Sequence, residues 1–167
     1  MSDEAQRVRA ILAAVVQGVP DAGLVYDYRR WAISHAAFID LFKTTIDGAA
    51  CYRGWMVGYV NMPSNQTTVF STSLNEANQV REHVFKLYGY YGLKDADASE
   101  KAAQALAIQV MDALSTSVDL RGFSGQWGQT PAPTIDFFDV RLFGNILCHV
   151  IEITQRVRVA VTVTTVS

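Results

Sequence analysis

Charge is scarce in this chain. Only 18% of its 167 residues are Asp, Glu, Lys or Arg, against 50% that are hydrophobic. That is lean for a soluble monomer and implies that part of the surface is buried against other subunits. A basic excess is missing too: the formal net charge is −2 and the basic residues are scattered, which argues against a general nucleic-acid binder. No apolar run approaches the roughly 18 residues a membrane helix needs. The opening MSDEAQRVRA lacks the basic-then-apolar order of a signal peptide. Cysteine is sparse. Cys51 and Cys148 have neither metal-ligand nor disulfide-framework spacing and read as buried free thiols in a reducing compartment.

Catalytic signatures are equally thin. His35, His83 and His149 stand far apart. Cys148 and His149, like Glu82 and His83, are neighbours on expected strands, so they point to opposite faces and do not grip one metal. Gly122, Gly125 and Gly128 repeat every third residue, but no Lys-Ser/Thr and no phosphate-receiving helix follow them. There is no G-x-S-x-G elbow. Asp136 and Asp139 fall on opposite strand faces and make a poor acid/base pair. No catalytic residue, metal ligand or cofactor site is expected.

What is present is strong patterning. Val8, Ile11, Leu12, Val15, Val16 and Val19 recur at helical spacing and predict a helix over Asp3–Gln17, stopped by Gly18 and Pro20. Leu24–Trp31 reads as a short strand. Ser34 caps a second helix carrying Phe38, Leu41 and Phe42 on one side. Asp47-Gly48 is a turn before a strand over Cys51–Asn61. Met62–Gln79 is long and polar and predicts a projecting loop, with a small hairpin arm near Thr67–Thr72. Arg81–Tyr91 is a strand, with His83, Phe85, Leu87 and Tyr91 on one face and Val84, Lys86, Tyr88 and Tyr90 on the other.

Leu87–Leu114 is the most informative stretch: an aromatic strand ends at Gly92, an acidic turn follows, and Asp97 with Glu100 predicts a capping box. The helix after it turns Ala103, Leu106, Ala107, Val110, Met111 and Leu114 inward. Val118–Gly122 reads as a strand and Gly122–Pro133 as a loop. Thr134–Phe143 and Ile146–Val163 flank Gly144-Asn145, a hairpin signal.

The last strand alternates cleanly. Leu147, Ile151, Ile153, Val157, Val159, Val161 and Val163 share one face; Glu152, Thr154, Arg156, Arg158, Thr162 and Thr164 share the other. It is far longer than the usual five or six residues, so its tail over 156–167 is expected to project and to offer an edge for pairing with another chain. Arg156 and Arg158, with Arg141 near them, form either a solvated outer face or a contact for an acidic partner. Tyr88, Tyr90 and Tyr91, with Phe85, fit a half-buried strand at a subunit interface better than a base-stacking platform, since no basic groove accompanies them. The expected class is α+β over a single domain, 1–167: an antiparallel sheet with helices packed on one side, a projecting loop and a C-terminal β-hairpin and tail.

Several segments carry a resemblance: VYDYRRW (25–31), FIDLFK (38–43), RGW (53–55), HVFKLYGYYGLKDADASEKAAQAL (83–106) and LFGNILCHVIEITQRVRV (142–159). In these, and in the order of its elements, the chain resembles the tail-terminator, or tail-completion, proteins of long-tailed bacteriophages. The resemblance implies a structural virion protein without enzymatic activity. Such proteins form a homohexameric ring that caps the tail tube, stops its polymerisation and receives the head-completion proteins, with the sheath as a further partner in contractile tails. It implies a place in the virion neck, with assembly in the host cytoplasm, no membrane, and no sequence-specific recognition of the DNA that passes. A ring joins unlike surfaces of neighbouring copies. The residues expected at such contacts are Arg53, Thr67, Val69, Phe70, Arg141, Arg156, Arg158, Val159 and Val161. Two other classes stay open: another connector or tube-like subunit, and a small cytoplasmic enzyme or ligand-binding domain with a pocket around His83 or His149.

Overall fold

Strand alternation in this chain has to serve two apolar faces at once. The computed structural model describes residues 3–61, 67–73, 76–94, 98–122 and 131–164, and of these only the backbone over 67–73, 76–79, 121–122 and 162–164. The described elements are α1 (Asp3–Gln17), β1 (Leu24–Tyr26), α2 (His35–Asp40), β2 (Lys43–Ile46), β3 (Ala49–Asn61), β4 (Thr67–Ser73), β5 (Glu76–Gly92), α3 (Ser99–Thr116), α4 (Val118–Gly122), β6 (Thr134–Phe143) and β7 (Ile146–Thr164). Mixed α+β is therefore the class. The strands form one sheet in the order β1-β3-β5-β7-β6, with β2 beside β3 and β4 beside β5. All pairings are antiparallel except β1 with β3, which is parallel.

Odd-numbered residues of the central strands meet α1, α3 and α4. Trp55, Val57, Phe85, Leu87, Ile151, Ile153 and Val157 pack there against Val8, Leu12 and Val16 of α1 and Ala103, Leu106, Ala107, Val110 and Leu114 of α3. Trp55 lies flat on the bare backbone of Gly89, where an added Cβ would sit 2.7 Å from its ring. Even-numbered residues meet α2 in a second, smaller cluster of Ile39, Phe42, Met56, Tyr90, Cys148 and Val150. The expectation of helices on one side only is thus corrected. α2 crosses to the opposite face because the short β1 leads into a connection that returns over it, and Ser34 starts α2 there by accepting the Ala37 N–H at 3.1 Å.

Local expectations change as well. The strand expected over Leu24–Trp31 stops at Tyr26; beyond it the Arg30 N–H turns to the Met56 sulfur at 3.3 Å instead of a ladder carbonyl. Val118–Gly122 is helix α4, not a strand: the Ser117 hydroxyl accepts the Leu120 N–H at 3.3 Å, and this local cap outweighs the β preference of Val118. The N-cap of α3 is Ala98 in a left-handed conformation with no side-chain cap bond, so the expected Asp97–Glu100 box is not what starts the helix; Asp97 itself lies outside the described residues. Asp47-Gly48 is a turn, as expected, with φ of 51° and 78°, and it joins β3 to β2, a strand the polar Lys-Thr-Thr run concealed.

The largest revision concerns 62–79. Residues 62–66 and 74–75 lie outside the described set; the arm expected near Thr67–Thr72 is there as β4, Thr67–Ser73, but Glu76–Gln79 belongs to β5, so the described part of this stretch is sheet and not loop. β4 takes the edge of β5 over Glu76–Val80, in line with β3, which takes it over Val84–Tyr91. β7 runs along the opposite edge of β5 without interruption, from Gly92↔Cys148 to Glu76↔Thr164. The tail therefore does not project alone. It forms the third strand of a β4-β5-β7 ribbon, paired throughout by its own chain, while residues 165–167 lie outside the described set.

Candidate functional site

Strand parity decides which expected contact residues face outward. Val159 is buried, 4% exposed, in the α1-side core, and Val161 packs partly against the same core. Val159 is thus corrected from a partner-facing to an internal residue, because odd positions of β7 turn toward the helices. Arg156 and Arg158 stand on the opposite face, and both bond Glu82 of β5, at 3.0 and 3.2 Å. With side chains 52% and 41% exposed, they share one carboxylate and keep donors facing water. Arg53 is held inside its own chain: its guanidinium lies 4.0 Å from the Tyr91 ring centroid and its Nη1 donates to the Asp21 carbonyl at 3.4 Å. Thr67, Val69 and Phe70 are in β4, with Thr67 opposite Val80, Phe70 opposite Asn78, and Val69 at a register shift. Their side chains lie outside the described set.

The backbone supplies a second kind of surface. β6 covers β7 only from Ile146 to Thr154. From Gln155 to Thr164, β7 has no partner on that outer edge among the described residues, and neither does β4 on its own outer edge. Leu93 N–H bonds the Leu147 carbonyl at 2.9 Å, so odd residues of β7 bond toward β5. Even residues, Arg156, Arg158 and Ala160 among them, turn their peptide groups outward. The Gln155 amide reaches the Arg156 carbonyl at 2.8 Å and the Pro131 carbonyl at 3.0 Å, closing the start of this edge.

The two buried histidines hold helices to the sheet. His149 Nε2 lies 3.1 Å from the Ser99 hydroxyl, which also accepts the Lys94 N–H at 2.9 Å, and this fixes the start of α3. Phe138 stacks on the imidazole and Tyr91 meets it edge-on. Burial lowers the His149 pKa from its ordinary value, against the opposing charge of Glu100. His83 sits between Tyr59, whose hydroxyl is 3.4 Å from Nδ1, and Glu4 of α1, 3.7 Å from Nε2. Burial lowers its pKa, with Glu4 opposing and Arg81 adding to the shift. Ser99 is 4% exposed and His149 3%, so the pair presents no surface to a substrate; it works as a latch.

Cys148 is buried and its thiol is pushed by burial up to about 12, whereas Cys51 is partly exposed rather than buried. Among the described residues no group of three or more His, Cys, Asp or Glu side chains lies together as metal ligands. Among them, too, no helix is long and apolar enough to cross a membrane.

Sequence patterning passes over one feature entirely: a groove of about 470 Å³ beside α2. Met56, Val150, Phe38 and Tyr90 line its apolar part, and Trp31 and Arg141 are among its other walls. Arg29 lies over two of its rings, Tyr88 and Trp31, at 4.8 and 4.9 Å, while Arg30 and Arg141 of its wall lie over Tyr26 and Phe137, just outside the lining, at 4.7 and 4.6 Å. The Arg29 stem crosses the sheet where Gly58 leaves space; a Cβ there would meet it at 2.9 Å. The signal in the sequence is Tyr-Asp-Tyr-Arg-Arg-Trp, which reads as a strand until the chain is seen to leave the sheet after Tyr26.

No protein-family model and no curated protein matches the chain.

Proposed function

We propose that this chain is a structural assembly subunit of a long-tailed phage, a tail terminator. It closes into a ring of about six copies, caps the tail tube, and presents the joining surface for head-completion proteins, and for the sheath where the tail contracts. The segment resemblances motivate the reading, and one observation carries it: the outer edge of β7 from Gln155 to Thr164, unpartnered among the described residues and flanked by Arg156 and Arg158. Such an edge accepts a strand from a neighbour through backbone hydrogen bonds, which is the kind of contact a closed ring repeats between unlike surfaces. The work is binding, with no bond chemistry.

Truncation after Gln155 is a poor test, since it removes the buried Val157 and Val159 with the edge. Ala160→Pro removes one outward N–H and no core side chain, a change edge strands accept. Light scattering and negative-stain imaging of the intact protein, with and without purified tail tubes, then decide. Rings, or density on tube ends, support the terminator reading, and their loss in Ala160→Pro with unchanged circular dichroism supports the edge. Self-stacking into tubes replaces the terminator with a tube subunit. A monomer that ignores tubes overturns the assembly reading, and rings that survive Ala160→Pro overturn the role of the edge.

A further inference from the structure

We infer that the groove beside α2 binds an acidic peptide segment anchored by one aromatic side chain. This goes beyond the terminator reading and rests on the groove's own chemistry.

Charge complementarity names the occupant. Arg29, Arg30 and Arg141 line the groove, and none of them has a carboxylate partner among the described residues. The carboxylate in the wall, Glu152, is already bonded to Lys86 at 3.0 Å; that bond, ahead of the opposing burial, raises the Lys86 pKa and keeps the lysine charged. Asp139 follows on the β6 face that carries Arg141, and its Oδ1 accepts the Val140 N–H at 2.8 Å. Among the described residues, then, no carboxylate lies within ion-pair distance of the three groove arginines. A guanidinium lying over a ring keeps its edge N–H groups available, in the fork that matches a carboxylate.

The apolar part asks for something else. Met56 and Val150, already 3% and 2% exposed, form its floor, and Trp31 and Leu142, 76% and 57% exposed, offer the apolar surface of a groove that a charged chain alone does not fill. Its volume lies within the roughly 300–1,000 Å³ of ordinary ligand sites. One aromatic side chain set among carboxylates satisfies both halves. A nucleic acid fits less well: bases need open ring faces, whereas Arg29 already lies over those of Tyr88 and Trp31, and Phe38 and Phe143 stack on each other.

The test uses the full chain and a fluorescein-labelled peptide of glutamates around a single central phenylalanine, followed by anisotropy. Saturable binding is expected, weakening with salt. It should fall about tenfold when the peptide's phenylalanine becomes alanine, and about tenfold in Arg141→Glu or Arg29→Glu, the loss of one charge-assisted pair. Circular dichroism checks each variant. If Arg29→Glu disturbs folding, Arg141→Glu decides alone, because Arg141 is exposed on an edge strand. No saturable binding, equal binding by a peptide with lysine for every glutamate, or binding indifferent to Arg141→Glu overturns the proposal. Tighter binding of an oligothymidylate overturns it in favour of a nucleic-acid groove.

Discussion

The two faces of this sheet are built by the same strands and finished differently. Toward α1 and α3 the odd residues meet long helices whose apolar stripes match them, and even the polar members, His83, His149 and Gln155, are buried. Toward α2 the even residues meet a helix of six residues. It covers Tyr90, Cys148 and Val150 and leaves the remainder to arginines on rings and to ion pairs, Lys86 with Glu152 and Glu82 with Arg156 and Arg158. One face is completed within the chain; the other keeps polar groups that still have donors to offer.

The sharpest way to break that comparison is to remove one tryptophan from each face. Trp55→Ala, at 1% exposure, is expected to cost about 3–5 kcal/mol in urea denaturation. Trp31→Ala, at 76% exposure on the groove rim, should change stability by less than about 0.5 kcal/mol. Equal losses would mean that the faces are energetically alike.

Acid should also act through the helix face. Both buried histidines have pKa values lowered by burial from the usual 6.5. Below that value the unfolded chain binds protons that the folded chain resists, so stability is highest above about pH 6.5 and falls as the pH drops toward the folded values. The urea midpoint should decline from pH 7.5 to pH 5.5, and His83→Gln with His149→Gln should flatten the decline. An unchanged slope in the double variant would place the acid sensitivity elsewhere.

Effects on the α2 face should be smaller. Ser34→Ala removes the cap of α2 and is expected to cost about 1 kcal/mol, read from the urea midpoint. Arg156→Ala should cost at most about 1 kcal/mol, because Glu82 keeps Arg158 and both arginines are partly solvated. Added salt should shrink that cost further, and a larger or salt-independent loss would show the ion pairs to be structural.

Much of the helix-side core was legible in the sequence. The stripe of α1, the inward set of α3 and the alternation of β5 and β7 are periodicities of 3.6 and 2, which depend on local geometry alone. β2 and Glu76–Gln79 of β5 were not, because polar Thr, Asn and Gln become strand only when a neighbour supplies the ladder. Arg156 and Arg158 were legible as a pair sharing a face, whereas their common carboxylate, Glu82, is 74 and 76 residues away in the chain. Val159 was misplaced because its apolar character says that it is covered and not by what.

The sequence by itself determined which residues alternate, where helices start and stop at Ser34, Gly18 and Pro20, and how sparse charge is in the chain. These follow from the bonding and shape of neighbouring residues. Tertiary structure alone decided that α2 lies across the sheet from α1 and α3, that β7 is paired from Cys148 to Thr164 by β5, and that Arg29, Arg30 and Arg141 line one groove. Each of those joins segments far apart in the chain, and no local preference carries the free energy of a contact that forms only when the sheet is assembled.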